Sequence, residues 1–191
     1  MRRFAAILVL AVFALATSPY SAPAQDKPTG ARGEFLNELS YYETRFTRLA
    51  DAVPADKYSW RPAEGVRSIG EVYAHVAAAN YNLAKVFGTP FPAGVDPKAI
   101  VASAGDKAKT LQALKDSFAH IRSAILAVKD SDLNNPLKLF GQDTTIRGAF
   151  IMIAGHTGEH LGQSIAYARQ NGIVPPWTAE RMQQESQKPK P

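Results

Sequence analysis

Four long segments of this sequence place apolar residues at alternating steps of three and four, and this spacing restricts the fold more than any other feature. Apolar residues at such steps share one face of an α-helix. The segments are 34–53, 69–87, 106–129 and 145–171, and no convincing strand lies between them. The pattern therefore predicts an all-α fold, a four-helix bundle.

Helix start and stop residues support these bounds. Ser68 is a good N-cap with Glu71 three residues later, as in a capping box. Pro54 closes the first helix, and Gly172 followed by Pro175 closes the last. The segment 88–105 holds several prolines and glycines, and it is expected to form a loop over one end of the bundle.

The first 24 residues read as a secretory signal peptide. A short basic start precedes the apolar run 5–16 and an Ala22-Pro23-Ala24 ending. The run is short for a bilayer span of roughly 20 residues, although an uncleaved membrane anchor is the alternative. The sequence thus predicts a flexible segment 25–33, a bundle domain 34–177, a polar tail 178–191 and a periplasmic protein that leaves the membrane after cleavage.

Composition removes several classes of site. The chain has no cysteine, so neither a disulfide nor a thiolate ligand can form. The net charge of +5 becomes +3 once Arg2 and Arg3 leave with the signal peptide. The remaining basic residues are scattered among acids, so no nucleic-acid surface is predicted.

Three of the four histidines lie where they could meet. His156 and His160 are four residues apart, so they point only about 40° apart on the last helix, on the flank of its apolar stripe. His75 lies on the flank of the second helix, whereas His120 falls on the solvent face of the third and receives no role. Ordinary hydrogen-bonded helix histidines are the alternative explanation. A cluster of neutral imidazoles would suit Zn, Ni or Fe and would leave a coordination position open.

The motifs together resemble the DinB-like family of four-helix-bundle metalloproteins. The likeness rests on His75, on His156 with His160 followed by Gly162-Gln163, on the N-G-x-x-P-P ending at 171–176, and on Trp60 and Pro62 before the second helix. The resemblance implies that His75, His156 and His160 bind one divalent metal. It also points to relatives such as bacillithiol S-transferases and mycothiol-dependent maleylpyruvate isomerases, although those thiols are cytosolic and this chain carries an export signal.

Several functions remain open at this point. A metal-dependent thiol transferase or hydrolase acting on an unknown small molecule is the first hypothesis, with the loop 88–105 and Trp60 forming its pocket. A non-catalytic periplasmic metal-binding protein is the second. The third is a metalloprotease, because residues 156–160 also read H-x-x-E-H, with Glu159 as its general base.

A final expectation concerns glycines on the last helix. Gly148, Gly155, Gly158 and Gly162 fall on one side, roughly opposite the apolar stripe. Each costs about 1 kcal/mol relative to alanine in a helix, so the face is expected to receive another backbone. That backbone would be the covering loop or the same helix of a second subunit in a homodimer.

Overall fold

A computed structural model describes residues 29–188 as a helical bundle with one small hairpin. In chain order the elements are α1 Gly30–Ala52, α2 Ile69–Val86, α3 Pro97–Ala102, α4 Lys107–Ala127, β1 Pro136–Leu139, β2 Gln142–Thr145, α5 Ile146–Gln170 and α6 Pro176–Ser186. The four long helices are α1, α2, α4 and α5. The predicted all-α four-helix bundle is confirmed.

Side-chain caps set the start of three of the long helices. Ser68 accepts a hydrogen bond from the backbone N–H of Glu71, whose carboxylate accepts one from the N–H of Ser68, and this completes the predicted capping box. The side chains of Asp106 and Thr145 cap α4 and α5 by accepting a hydrogen bond from the backbone N–H three residues later, at Lys109 and Gly148. At the end of α5, Gly172 has a φ of +72°, a left-handed conformation that favours glycine and stops the helix.

Helix neighbours follow the order α1, α4, α2, α5 around the bundle. α1 packs against α4 and α5, and α2 packs against the same two helices, so α1 lies diagonally opposite α2, and α4 lies diagonally opposite α5. Fully buried side chains of Phe46, Tyr73 and Phe118 fill the centre. The ring centroid of Phe46 lies 6.3 Å from that of Tyr73 and 6.0 Å from that of Phe118. This arrangement makes α2 and α5, which carry the three predicted metal ligands, direct neighbours.

Two connections contain structure that the sequence analysis did not predict. The short helix α3 interrupts the expected loop 88–105; Asp96 caps it and Pro97 occupies its first turn. The β1–β2 hairpin contradicts the expectation of no strands, with Leu139 paired to Gln142 across a two-residue turn. The turn residues Phe140 and Gly141 have φ values of 51° and 79°. Positive φ values at both central positions are those of a type I′ hairpin turn.

The hairpin is joined rigidly to α5. Thr145 ends β2 and caps α5 as well, and the first two N–H groups of α5 bond to the segment before β1. Ile146 donates to the carbonyl of Asn135 at 3.2 Å, and Arg147 donates to that of Leu133 at 2.9 Å. The hairpin position is therefore fixed relative to the helix that carries His156 and His160.

The expected C-terminal tail is partly helical. Helix α6 follows the proline pair and lies beside α1, where Glu180 forms an ion pair with Arg48. The guanidinium of Arg45 lies 5.0 Å from the ring centroid of Trp177. Pro175 and Pro176 thus end one helix and begin another, because proline is well suited to the first turn of a helix.

The glycine face of α5 does not receive another backbone within residues 29–188. A Cβ atom at Gly155 or Gly162 would meet no described atom within 4 Å, and one at Gly158 would lie 3.0 Å from the hydroxyl of Tyr42. The covering-loop explanation is therefore wrong. A close backbone contact occurs instead on α2, where a Cβ at Gly70 would overlap the carbonyl oxygen of Ala104.

Across residues 29–188, no helix is both long enough and apolar enough to cross a membrane. The predicted signal peptide, residues 1–24, lies outside this range, as do the first residues of the segment 25–33.

Candidate metal centre

His75, His156 and His160 meet between α2 and α5, and we call them the histidine cluster. One ring nitrogen from each lies within 4.8 Å of the others, and all three side chains are half-buried. The ring centroids are 4.6–5.4 Å apart. The structure thus brings together the three residues that the sequence analysis selected.

One pair of ring nitrogens in the cluster has the spacing of two metal ligands. Nε2 of His75 lies 3.3 Å from Nε2 of His156. In a tetrahedral site with metal–nitrogen bonds of about 2.0–2.1 Å, two ligand nitrogens lie roughly 3.3–3.4 Å apart. A hydrogen bond between one protonated and one unprotonated nitrogen would have a similar length. The donor set and its spacing fit a divalent ion.

The surroundings hold two of these imidazoles in the neutral form that binds metals. Burial, followed by the charges of Arg67 and of the other two histidines, lowers the pKa of His75 to about 4. Burial, followed by the charge of His160, also lowers the pKa of His156, and the nearby carboxylate of Glu159 opposes this shift. Neutral imidazoles at neutral pH need to release no proton before a metal binds.

A hydrogen-bond chain orients the third ligand. Nδ1 of His160 donates to Oε1 of Gln163 at 2.9 Å, and Nε2 of Gln163 donates to the hydroxyl of Tyr167 at 3.0 Å. The Trp60 ring packs edge-on against Tyr167, with centroids 5.5 Å apart. A proton on Nδ1 leaves the Nε2 lone pair of His160 free for a metal. Metal-binding histidines commonly donate their other ring N–H to such an acceptor, which fixes the tautomer.

The roles of Gln163 and Tyr167 were not predicted from the sequence. Gln163 entered only as part of a motif, although its position three residues after His160 places it one helical turn away. Trp60 was expected to line the pocket, but it supports Tyr167 instead.

His120 lies apart from the histidine cluster, on α4, but it does not face open solvent as predicted. Its ring is half-buried, with its centroid 5.2 Å from that of Tyr81. Pro92 and Val95, from the connection before α3, border the same surface. This connection covers a face of α4 that the helix periodicity alone placed in solvent.

The metalloprotease hypothesis gains no support from the positions of the carboxylates. Glu159 is exposed on α5, and no carboxylate joins the histidine cluster within residues 29–188. The two downstream candidates are engaged elsewhere, Glu180 with Arg48 and Glu185 with Arg181. A third protein ligand of the protease type is therefore missing from the described part of the chain.

An apolar cavity of about 650 Å³ opens beside the histidine cluster, and its size is typical of small-molecule sites. One stripe of α2 forms one wall, and the other walls come from α3, the hairpin and α5. The lining residues are His75, Ala78, Ala79, Asn82, Leu83, Val86, Pro97, Lys98, Val101, Leu139, Phe140 and His156. The prediction that the segment 88–105 helps to form a pocket is correct for its α3 portion.

Phe140 is the hairpin residue nearest the histidine cluster. Its side chain is 57% exposed, and its ring centroid lies 5.7 Å from that of His156. A left-handed backbone is unfavourable for phenylalanine, and the primed turn favours asparagine or glycine at this position. The turn thus presents an aromatic ring at the mouth of the cavity at some cost in backbone energy.

Comparison with known proteins yields one family and several similar folds. The family model described as the DinB superfamily matches residues 38–164. Among curated proteins, none matches this chain significantly. A DinB-like protein from Bacillus cereus has a TM-score of 0.63 at 20% identity, over 74% of this chain and 93% of that one.

Two Bacillus subtilis structures are also similar. YfiT, described as a probable metal-dependent hydrolase with an unusual four-helix bundle topology, has a TM-score of 0.61 at 14% identity, over 80% of this chain and 94% of its own. A DinB-like protein from the same organism has a TM-score of 0.52 at 20% identity, over 74% and 93% of the two chains. At these identities the similarity concerns the fold.

Proposed function

Because this chain belongs to the DinB superfamily, we propose that it binds one divalent metal through His75, His156 and His160 and catalyses a metal-dependent hydrolysis. The observation that carries the proposal is the convergence of three ring nitrogens within 4.8 Å beside an apolar cavity. The description of YfiT as a probable metal-dependent hydrolase supports the same reaction class.

Each part of the site has a task in this proposal. A zinc-like ion bound by three imidazoles supplies Lewis acidity and brings the pKa of a coordinated water near neutrality. The histidine cluster provides neutral ligands, and Gln163 keeps the proton of His160 on Nδ1. The apolar walls remove water from a ligand lying along α2, which strengthens electrostatic interactions at the reacting end.

The cavity favours an enzyme over a purely metal-binding protein. A storage or structural site needs only its ligands, and structural metal sites are usually closed by a fourth protein ligand. Here only three ligands from residues 29–188 converge, and a space large enough for a small molecule adjoins two of them.

We also propose that the enzyme acts outside the cytoplasm. The supporting observation is the basic start, apolar run and Ala22-Pro23-Ala24 ending of residues 1–24. Hydrolysis needs only water as co-substrate, whereas thiol transfer would need a low-molecular-weight thiol in the same compartment. Export therefore favours the hydrolase over the thiol transferase.

Metal analysis tests the binding part of the proposal. The purified protein should hold close to one equivalent of Zn, Ni or Fe, measured by inductively coupled plasma mass spectrometry. His75→Ala, His156→Ala and His160→Ala should each lose most of the metal, while His120→Ala, on α4, should retain it. Full occupancy in His75→Ala would show that the three-histidine site is wrong.

Activity assays test the reaction class. Ester, thioester and amide substrates with apolar chains should be hydrolysed by the metal-loaded protein, and the rate should fall to background in His156→Ala. Metal binding without turnover on any such substrate would favour the non-catalytic alternative.

A further inference from the structure

Within residues 29–188, Lys98 is the one lysine, arginine or carboxylate side chain that lines the apolar cavity. The other lining residues are apolar, except for His75, His156 and the amide of Asn82. No acidic residue of the described part of the chain lines this space. A cation there has no built-in partner inside the cavity.

The neighbours of Lys98 leave its ammonium group available. The Asp96 carboxylate accepts a hydrogen bond from the backbone N–H of Lys98 at 2.9 Å, so it serves as the cap of α3. Within residues 29–188, the Lys98 Nζ forms no ion pair. Lys98 is exposed and lies at the edge of the cavity.

His75 and His156 line the cavity from α2 and α5, whereas Lys98 lines it from the first turn of α3. His75 is at the start of the α2 stripe, and Val86 is at its end. Ala104, just after α3, lies against Gly70 near the start of α2, so the end of α3 is anchored beside the start of α2. The α2 wall of the cavity is long enough for an extended ligand, because the seven residues from His75 to Asn82 alone span roughly 10 Å along the helix axis.

We propose that this cavity binds a ligand with an apolar chain ending in a single carboxylate, which pairs with Lys98 while the opposite, reacting end lies at the histidine cluster. The assignment of the reacting end rests on the proposed function, whereas the pairing with Lys98 does not. Apolar walls favour an alkyl or aryl chain, because each buried methylene strengthens binding by up to about fourfold. They disfavour sugar-containing ligands, whose hydroxyl groups would lose water without gaining partners.

Hydroxamates with a variable tail test both ends together. The zinc-loaded protein is titrated calorimetrically with alkyl hydroxamates of increasing chain length that end either in a carboxylate or in an uncharged primary amide. The hydroxamate binds the metal, and the tail end probes Lys98. At the best chain length, the carboxylate should bind about three- to tenfold more tightly than the amide, and added salt should reduce this preference.

Substitutions then identify the residue responsible. Lys98→Met should abolish the preference for the carboxylate, and Lys98→Glu should reverse it. Lys115→Met removes an exposed lysine of α4 that lies outside the cavity lining, and it should leave the preference intact. Circular dichroism of each variant checks that the bundle is folded.

Two simpler probes separate this inference from the proposed function. Acetohydroxamate has no tail and reports only on the metal, whereas heptanoate and heptanamide test Lys98 in metal-free protein. If acetohydroxamate binds in a His156-dependent manner but acid and amide tails bind equally at every length, the inference is overturned and the metal site stands. If no metal is taken up yet heptanoate binds better than heptanamide and loses this advantage in Lys98→Met, the inference stands and the proposed function fails.

Discussion

The side-chain carbonyl of Gln163 accepts the Nδ1 proton of His160 at 2.9 Å, one turn further along the same helix. This bond selects the tautomer in which Nε2 of His160 can bind a metal. The amide of Gln163 is held in turn by the hydroxyl of Tyr167. A residue outside the histidine cluster thus sets the chemical state of one of its members.

Removing the acceptor at position 163 should weaken metal binding. Gln163→Leu keeps a similar size but cannot accept the proton, and the loss of such a partner typically costs 10- to 100-fold in affinity. Competition with a chromophoric zinc chelator measures the change. Gln163→Glu, which keeps an acceptor, should bind at least as tightly as the parent protein. A parental zinc affinity in Gln163→Leu would show that Gln163 does not position His160.

Phe140 should matter more for ligand binding than for stability. Phe140→Asn places a residue that tolerates left-handed backbone in the hairpin turn, so the free energy of unfolding should stay the same or rise by up to about 1 kcal/mol. Urea denaturation measures this change. The affinity for apolar ligands should fall, because the ring at the cavity mouth is lost. A large drop in stability instead would make Phe140 a packing residue.

The homodimer prediction can be tested at the open glycines of α5. In a monomer, Gly155→Ala and Gly162→Ala should each raise the free energy of unfolding by about 0.5–1 kcal/mol, because no described atom obstructs the new Cβ. In a homodimer packed closely through this face, which also bears the 73% exposed Ile151, the same changes should weaken association. Sedimentation across a dilution series, combined with thermal melting, distinguishes the two results.

The capping box of α2 should make stability depend on acid. The hydrogen bond from the Ser68 N–H is the main cause that lowers the pKa of Glu71 below its usual 4.5. Arg61 lowers this pKa further, and together they outweigh the opposing effect of burial. A group whose pKa is lower in the folded protein than in the unfolded one stabilises the fold at pH values above its unfolded-state pKa. This contribution is lost as the pH falls through its folded-state pKa. The Tm of the parent should therefore exceed that of Glu71→Gln at pH 7, and the difference should close below about pH 4.5. A difference that is independent of pH would contradict this assignment.

Cleavage of the signal peptide should leave Gln25 at the N-terminus. Mass spectrometry of protein recovered from the periplasm should give the mass of residues 25–191, or that mass after cyclisation of the terminal glutamine. Protein that retains Met1 in the membrane fraction would support the anchor alternative. Replacing Ala22 and Ala24 with bulky residues should block processing, since the cleavage site requires small side chains.

The sequence predicted the long helices well because their ends depend on local chemistry. Ser68, Asp106 and Thr145 each cap a helix through their own side chains, and no distant contact is needed. Position on a helix flank was also enough to bring His75 and His156 together, since α2 and α5 are neighbours. Helix periodicity failed for His120, which it placed on the solvent face, because periodicity does not show which distant segment covers that side of α4.

The remaining features depend on longer-range contacts or on short signals. The hairpin strands have four residues each, too few for a clear alternating pattern, and Phe140 occupies the turn position where asparagine, aspartate or glycine would have signalled a hairpin. The covering-loop explanation for the α5 glycines was wrong, since the close backbone contact within the chain is at Gly70 on α2. Which glycine meets another chain segment is decided by tertiary packing.

Part of the cavity wall comes from segments of the chain that do not carry the histidine cluster. The histidines stand on the long helices α2 and α5, whereas Lys98, Val101 and Phe140 belong to connecting segments. Substitutions and insertions in those connections can accumulate during evolution without moving the three histidines, because α2 and α5 have their own N-terminal caps and core contacts. Homologues that keep all three histidines can therefore differ in substrate. When the substrate of one homologue is inferred from that of another, the sequences to compare are the connecting segments and not the histidines that both share.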